Sequence, residues 1–127
     1  MTAYVIGFGD NVVDYYENLN QKFPGGNAVN FAVNAKKSGV KAYYVGSLSS
    51  DPDGVLLQHA ISSEGVDISF SEVIDEPTEQ AHVTIKDGDR EFIGGVRGSR
   101  LTPALSAELI DLMKNSSLAV SYTHLRA

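Results

Sequence analysis

A chain of 127 residues, 43% hydrophobic and 20% charged, has the composition of one soluble globular domain, not that of a fibrous or disordered protein. A formal net charge of -6, with ten scattered basic residues, excludes a nucleic-acid partner, which would require clustered Lys and Arg. The absence of cysteine excludes a disulfide framework and thiolate metal sites, no apolar run approaches the ~20 residues of a membrane span, and the start at Met1 lacks a basic signal region. The expectation is therefore a cytoplasmic protein with no membrane partner.

Residues 3–8 form a nearly continuous apolar run, as in a strand buried on both faces of a parallel sheet. A polar loop is expected next. Ala28, Phe31, Ala32 and Ala35 then fall at helical spacing, with Gly39 as the stop. Residues 41–46 read as a second strand, and Asp51 followed by Pro52 opens a second helix. That helix buries Leu56, Leu57, Ala60 and Ile61 and ends at Gly65. Strand, helix, strand, helix is the order of a parallel α/β sheet with crossover connections.

Residues 79–86 and 89–94 are strand-like, and Asp87-Gly88 between them favours a tight hairpin turn. A third helix is expected from Thr102-Pro103, with Leu105, Leu109, Leu112 and Met113 as its apolar stripe. A third buried strand should follow at Leu118-Ala119-Val120.

The chemistry concentrates in Pro24-Gly25-Gly26-Asn27-Ala28-Val29-Asn30. Gly25 and Gly26 just before a helix let the backbone approach a ligand, and the helix amino terminus offers N–H groups to its oxygens. Asn27 and Asn30 each carry a donor and an acceptor, which suits the hydroxyls of a neutral polyol. A plain glycine turn with Asn27 as helix cap is the alternative reading. Gly9-Asp10-Asn11-Val12-Val13-Asp14 lies at the carboxyl end of the first strand, where open α/β sheets bind ligands. An ionised Asp14 there can accept hydrogen bonds from two adjacent hydroxyls, or else cap a turn.

Gly25-Gly26-Asn27-Ala28-Val29-Asn30-Phe31-Ala32, then Gly39, Asp51 and Gly54, resembles the amino-terminal signature of the ribokinase-like (PfkB) sugar kinases. The Gly9–Asp14 stretch brings it nearest the fructoselysine 6-kinase branch. The resemblance implies a partial ribokinase-like parallel sheet with flanking helices and a β-hairpin lid, spanning residues 1–119, with the lid at about 79–94. It also implies that Asp14, Gly25, Gly26 and Asn30 bind the sugar, and that Asn27, where ribokinase has a lysine, tunes its identity. The parent enzyme would be an ATP- and Mg2+-dependent kinase acting on a primary hydroxyl of a sugar or fructosamine. Its lid would close over the sugar and mediate homodimer contacts.

Ser49 stands where the family usually has glycine, so a conformation needing positive φ would be strained there. His82 reads as a strand histidine. The glycines of Gly94-Gly95-Val96-Arg97-Gly98-Ser99-Arg100 read as a lid hinge or as a contact for anionic groups. Gly7-Phe8-Gly9 fails as a dinucleotide fingerprint, because Val12 occupies the third glycine position, and His59, His82 and His124 lack metal-ligand spacing.

The family's Gly-Ala-Gly-Asp motif, which supplies the anion hole and the catalytic base, does not occur in the sequence. No catalytic residue is therefore assigned, and the 127 residues are expected to bind ATP and Mg2+ poorly and to be inactive by themselves. Residues 120–127, Val-Ser-Tyr-Thr-His-Leu-Arg-Ala, resemble the translation of a sequencing adapter, so the expectation is a non-native tail on an amino-terminal fragment. An inert fragment or a non-catalytic sugar-binding module is the competing reading.

Overall fold

The computed structural model describes residues 3–96, 98, 103 and 105–122. Its centre is a parallel sheet of three strands, β1 (Tyr4–Gly9), β4 (Lys41–Val45) and β9 (Leu118–Tyr122), in the order β4-β1-β9. Both faces of β1 and β4 are covered, which is why those two strands read as unbroken apolar runs. β9 is not the buried strand expected at Leu118-Ala119-Val120: it pairs with β1, but Leu118 is 51% exposed and Ala119 and Ser121 are exposed as well. Val5, Ala42 and Tyr44 turn toward α1 (Asn27–Lys37) and α2 (Pro52–Ser63), joining Ala28, Val29, Ala32, Leu57 and Ile61 in one core. Tyr4, Ile6, Phe8, Tyr43 and Val45 turn the other way, toward Leu109, Leu112 and Met113 of α3 (Ala107–Lys114).

The close fit of α1 depends on Gly7: a Cβ there would lie 2.4 Å from the Ala28 carbonyl oxygen. α2 starts as expected. The Asp51 carboxylate accepts from the Gly54 N–H at 2.7 Å and from the Thr78 hydroxyl and N–H at 2.6 and 2.8 Å. Burial alone would raise the Asp51 pKa, but these hydrogen bonds hold it below the usual carboxylate value.

Four further expectations need correction. The polar loop after β1 is a hairpin: β2 (Val12–Tyr16) and β3 (Gln21–Gly25) pair antiparallel through a 3-10 turn at Glu17–Leu19, with Asn20 left-handed at φ 51°. The hairpin expected as a lid is accordingly part of a wider sheet, referred to below as the lid sheet. β2 also pairs in parallel with β7 (Gln80–Lys86), and β7 pairs with β8 (Asp89–Val96), giving a four-stranded sheet in the order β3-β2-β7-β8. The Asp87-Gly88 turn between β7 and β8 is as expected, with φ of 53° and 83°, as a primed turn requires.

The third helix begins at Ala107, because the Ser106 hydroxyl caps it by accepting from the Leu109 N–H at 3.1 Å. Leu105 precedes the helix and is exposed, while Thr102 lies outside the described residues. Finally, Ser49 is not strained. It sits in the short strand β5 (Ser47–Ser49), which pairs with β6 (Glu72–Ile74), and its φ is not positive. The close approach falls instead on Gly54, whose Cβ would lie 1.9 Å from the Ser49 carbonyl oxygen.

Candidate functional site

The site begins where β1 ends. Asp10 lies in the turn between β1 and β2, and its carboxylate accepts from the Ala28 N–H at 2.9 Å and from the Asn27 N–H at 3.2 Å. This carboxylate caps α1 and complements the positive end of its dipole. Two of the helix N–H groups expected to face a ligand are thus already taken, and Asn27 is not the cap. Asp10 was missed as a capping group; the only sequence signal was an acid at a strand's carboxyl end shortly before a helix.

Asn11 is tied down next to it. Its Nδ2 donates to the Tyr44 hydroxyl and to the Ser47 carbonyl, both at 2.9 Å, and the Tyr44 hydroxyl donates to the Gly9 carbonyl at 2.7 Å. Burial pushes the Tyr44 phenol pKa well up, so it serves as a neutral hydrogen-bonding strut. Gly26 has φ 103°, and a Cβ there would lie 3.0 Å from both the Asn11 Cα and the Asp10 carbonyl oxygen. Glycine is needed here on both counts.

Asp14 lies in the middle of β2, opposite Phe23 of β3 and Ala81 of β7. Gly25 stands beside it: a Cβ at position 25 would come 2.7 Å from Asp14 Oδ2. The absent side chain leaves room for the carboxylate. Among the described residues no N–H or O–H donates to the Asp14 carboxylate, although it is half-buried. Burial raises its pKa, and Arg90, whose guanidinium donates to the Tyr16 hydroxyl at 3.0 Å, opposes that shift. A carboxylate that is desolvated, accessible and without a hydrogen-bond donor is suited to accept ligand hydroxyls.

The structure therefore brings Asp14 and Gly25 together and places Gly26 at the start of α1. Asn27 and Asn30 are exposed on that helix. Asn30 borders a groove of about 440 Å3 between β3, α1 and α2. His82 belongs to a structural network: its Nε2 lies 2.9 Å from Gln80 Oε1, Gln80 Nε2 donates to Asp53, and Asp53 pairs with Lys22 at 2.8 Å. This network fastens β3 and β7 of the lid sheet to α2. In the glycine-rich stretch, Arg97, Ser99 and Arg100 lie outside the described residues. Among the described residues no three His, Asp or Glu side chains group to hold a metal ion, and no helix is long and apolar enough to cross a membrane.

The model of the pfkB family carbohydrate kinases matches residues 1–122. The fructosamine kinase FrlD of Bacillus subtilis is 34% identical over 119 residues, covering 90% of this chain and 42% of the relative. The fructoselysine 6-kinase of Escherichia coli is 38% identical over 100 residues, covering 79% of this chain and 38% of the relative. The chain thus spans less than half the length of these curated relatives. A fructokinase from Xylella fastidiosa, solved with bound ATP, superposes with a TM-score of 0.78 at 22% identity, covering 95% of this chain and 39% of that one, and shows the shared fold. With the family model matched along nearly the whole sequence, the chain belongs to the pfkB family of carbohydrate kinases.

Proposed function

We propose that this chain forms the sugar-binding part of an ATP-dependent kinase that phosphorylates a primary hydroxyl of a fructosamine, with fructoselysine as the substrate type. The observation that carries this reading is the Asp14 carboxylate, half-buried against Gly25 and without a donor among the described residues. The names of the two curated relatives, a fructosamine kinase and a fructoselysine 6-kinase, support the substrate class.

On this reading Asp14 accepts hydrogen bonds from two adjacent sugar hydroxyls and so fixes the orientation of the ring. Asn30 supplies a donor and an acceptor from the first turns of α1, Gly25 and Gly26 keep the backbone clear of the sugar, and Asn27 adjusts its identity. The acceptor hydroxyl oxygen forms the new bond to phosphorus, the bond to the departing diphosphate breaks, and the hydroxyl proton passes to a base outside these residues. ATP, when bound, supplies the phosphoryl group. The 127 residues contain no Gly-Ala-Gly-Asp sequence. Alone, on this reading, they bind sugar without turning over ATP.

Replacing Asp14 by Ala in the complete kinase tests the assignment. Losing two hydrogen bonds to a charged acceptor should lower kcat/KM for the fructosamine by about 100-fold or more, with nucleotide affinity unchanged. Unchanged sugar kinetics would remove Asp14 from the site.

A further inference from the structure

The groove beside Asn30 is lined by α1 residues from Val29 to Lys37, and the chemistry of its lining changes along that helix. Its upper end is formed by Phe23 and Pro24 of β3 together with Asn30. Phe23 is the register partner of Asp14, and Pro24 immediately precedes Gly25, so the groove starts at the edge of the sugar site. Its floor continues down α1 past Val33, one turn further on. Its lower end lies between Lys37, in the last turn of α1, and Glu64, which follows α2. Among the described residues neither Lys37 nor Glu64 forms an ion pair. The groove therefore runs from sugar-compatible amide through an apolar stretch to a separated cation and anion.

We infer that this groove holds the amino-acid arm of the fructosamine, with Val33 and Pro24 against its methylenes, Lys37 facing its carboxylate and Glu64 facing its ammonium. The inference rests on the proposed function and adds the residues that would distinguish a glycated amino acid from a free sugar. The dimensions agree. Asn30 and Lys37 are seven residues apart, which is ~10.5 Å along the helix axis. The six bonds from the sugar C1 to the α-carbon of an ε-linked lysine span ~7.5 Å at ordinary bond lengths, and the carboxylate reaches further. A zwitterion matched by two charges of opposite sign is oriented as well as held. Free fructose has no part that extends this far.

The test compares three acceptors in the complete kinase: fructose, 1-butylamino-1-deoxyfructose and ε-fructosyl-lysine. The butylamino compound carries the arm without its charged head. In the unaltered enzyme KM should fall from the first to the third. Lys37→Glu should raise KM for ε-fructosyl-lysine about tenfold, a change of ~1.4 kcal/mol, with kcat unchanged and with the other two acceptors unaffected. Lys37→Arg should retain the unaltered KM, and Asn34→Trp, which fills the groove from α1, should weaken both arm-bearing acceptors but not fructose. An equal KM rise for all three acceptors, or no rise for ε-fructosyl-lysine in either variant, would overturn the inference while leaving the proposed function intact. If none of the three is phosphorylated by the unaltered enzyme, the proposed function itself fails.

Discussion

The two larger sheets of this molecule are built on opposite terms. In the parallel sheet β4-β1-β9, β1 and β4 are covered on both faces by almost entirely apolar contacts, and only β9 is left exposed. The lid sheet β3-β2-β7-β8 buries Val13 and Val83 but leaves Phe23, Ile85, Phe92 and Ile93 exposed, and polar contacts such as Lys22–Asp53–Gln80 fasten it to α2. The scaffold is held by burial, whose loss is costly and global; the lid is held by a few hydrogen bonds, whose loss should be local. Asp14, whose carboxylate has no donor among the described residues, sits on the lid sheet.

The largest expected effect lies in the scaffold. Leu57 is fully buried in the α1–α2 core, so Leu57→Ala should destabilise the chain by about 2–5 kcal/mol in chemical denaturation. A loss below 1 kcal/mol would mean that the core is not continuous. Asp53→Ala should cost less, about 1–3 kcal/mol, since it leaves Gln80 without an acceptor while Lys22 can turn to solvent. Amide exchange should accelerate in β3 and β7 and remain slow in β1 and β4. Uniform acceleration in both sheets would erase the distinction between them.

The smallest effect concerns Asp14. Burial raises its folded pKa above the ordinary 3.8, so the folded state holds this proton more tightly than the unfolded chain does. The ionised group therefore opposes folding above its folded pKa, and the protein gains stability from it as pH falls through that value. Asp14→Asn should be slightly more stable than the parent at pH 7, and the difference should vanish below pH 3.8. Urea denaturation at the two pH values measures it. A less stable variant at pH 7 would mean that Asp14 has a donor in the folded state.

The same contrast explains what could be read from the sequence. Tyr4, Ile6 and Phe8 on one face of β1 and Val5 on the other leave an apolar run that only a doubly covered strand explains. β2 interrupts its apolar residues with Asp14, and β3 contains Pro24 and Gly25, which disfavour strands except at an edge, where β3 lies. The local pattern of both therefore reads as loop. For the third helix, Thr102 and Ser106 offer equivalent capping chemistry, and local sequence did not separate them. Asp14, Gly25 and Gly26 stand out in the sequence because a carboxylate and paired glycines are distinctive, and the structure brings Asp14 and Gly25 together. The capping by Asp10 of a helix seventeen residues away, and the groove between two helices, depend on tertiary placement.

The short turn Gly9–Asn11 joins the two sheets, and its bonding sets the mechanics of the molecule. Rotation about this turn would break the two bonds from α1 to Asp10 and the two from Asn11 to Tyr44 and Ser47 together. The turn therefore acts as a weld, not a hinge. Asp14 and the start of α1 ride on the same rigid joint, so their mutual placement would survive any displacement of the outer strands β7 and β8.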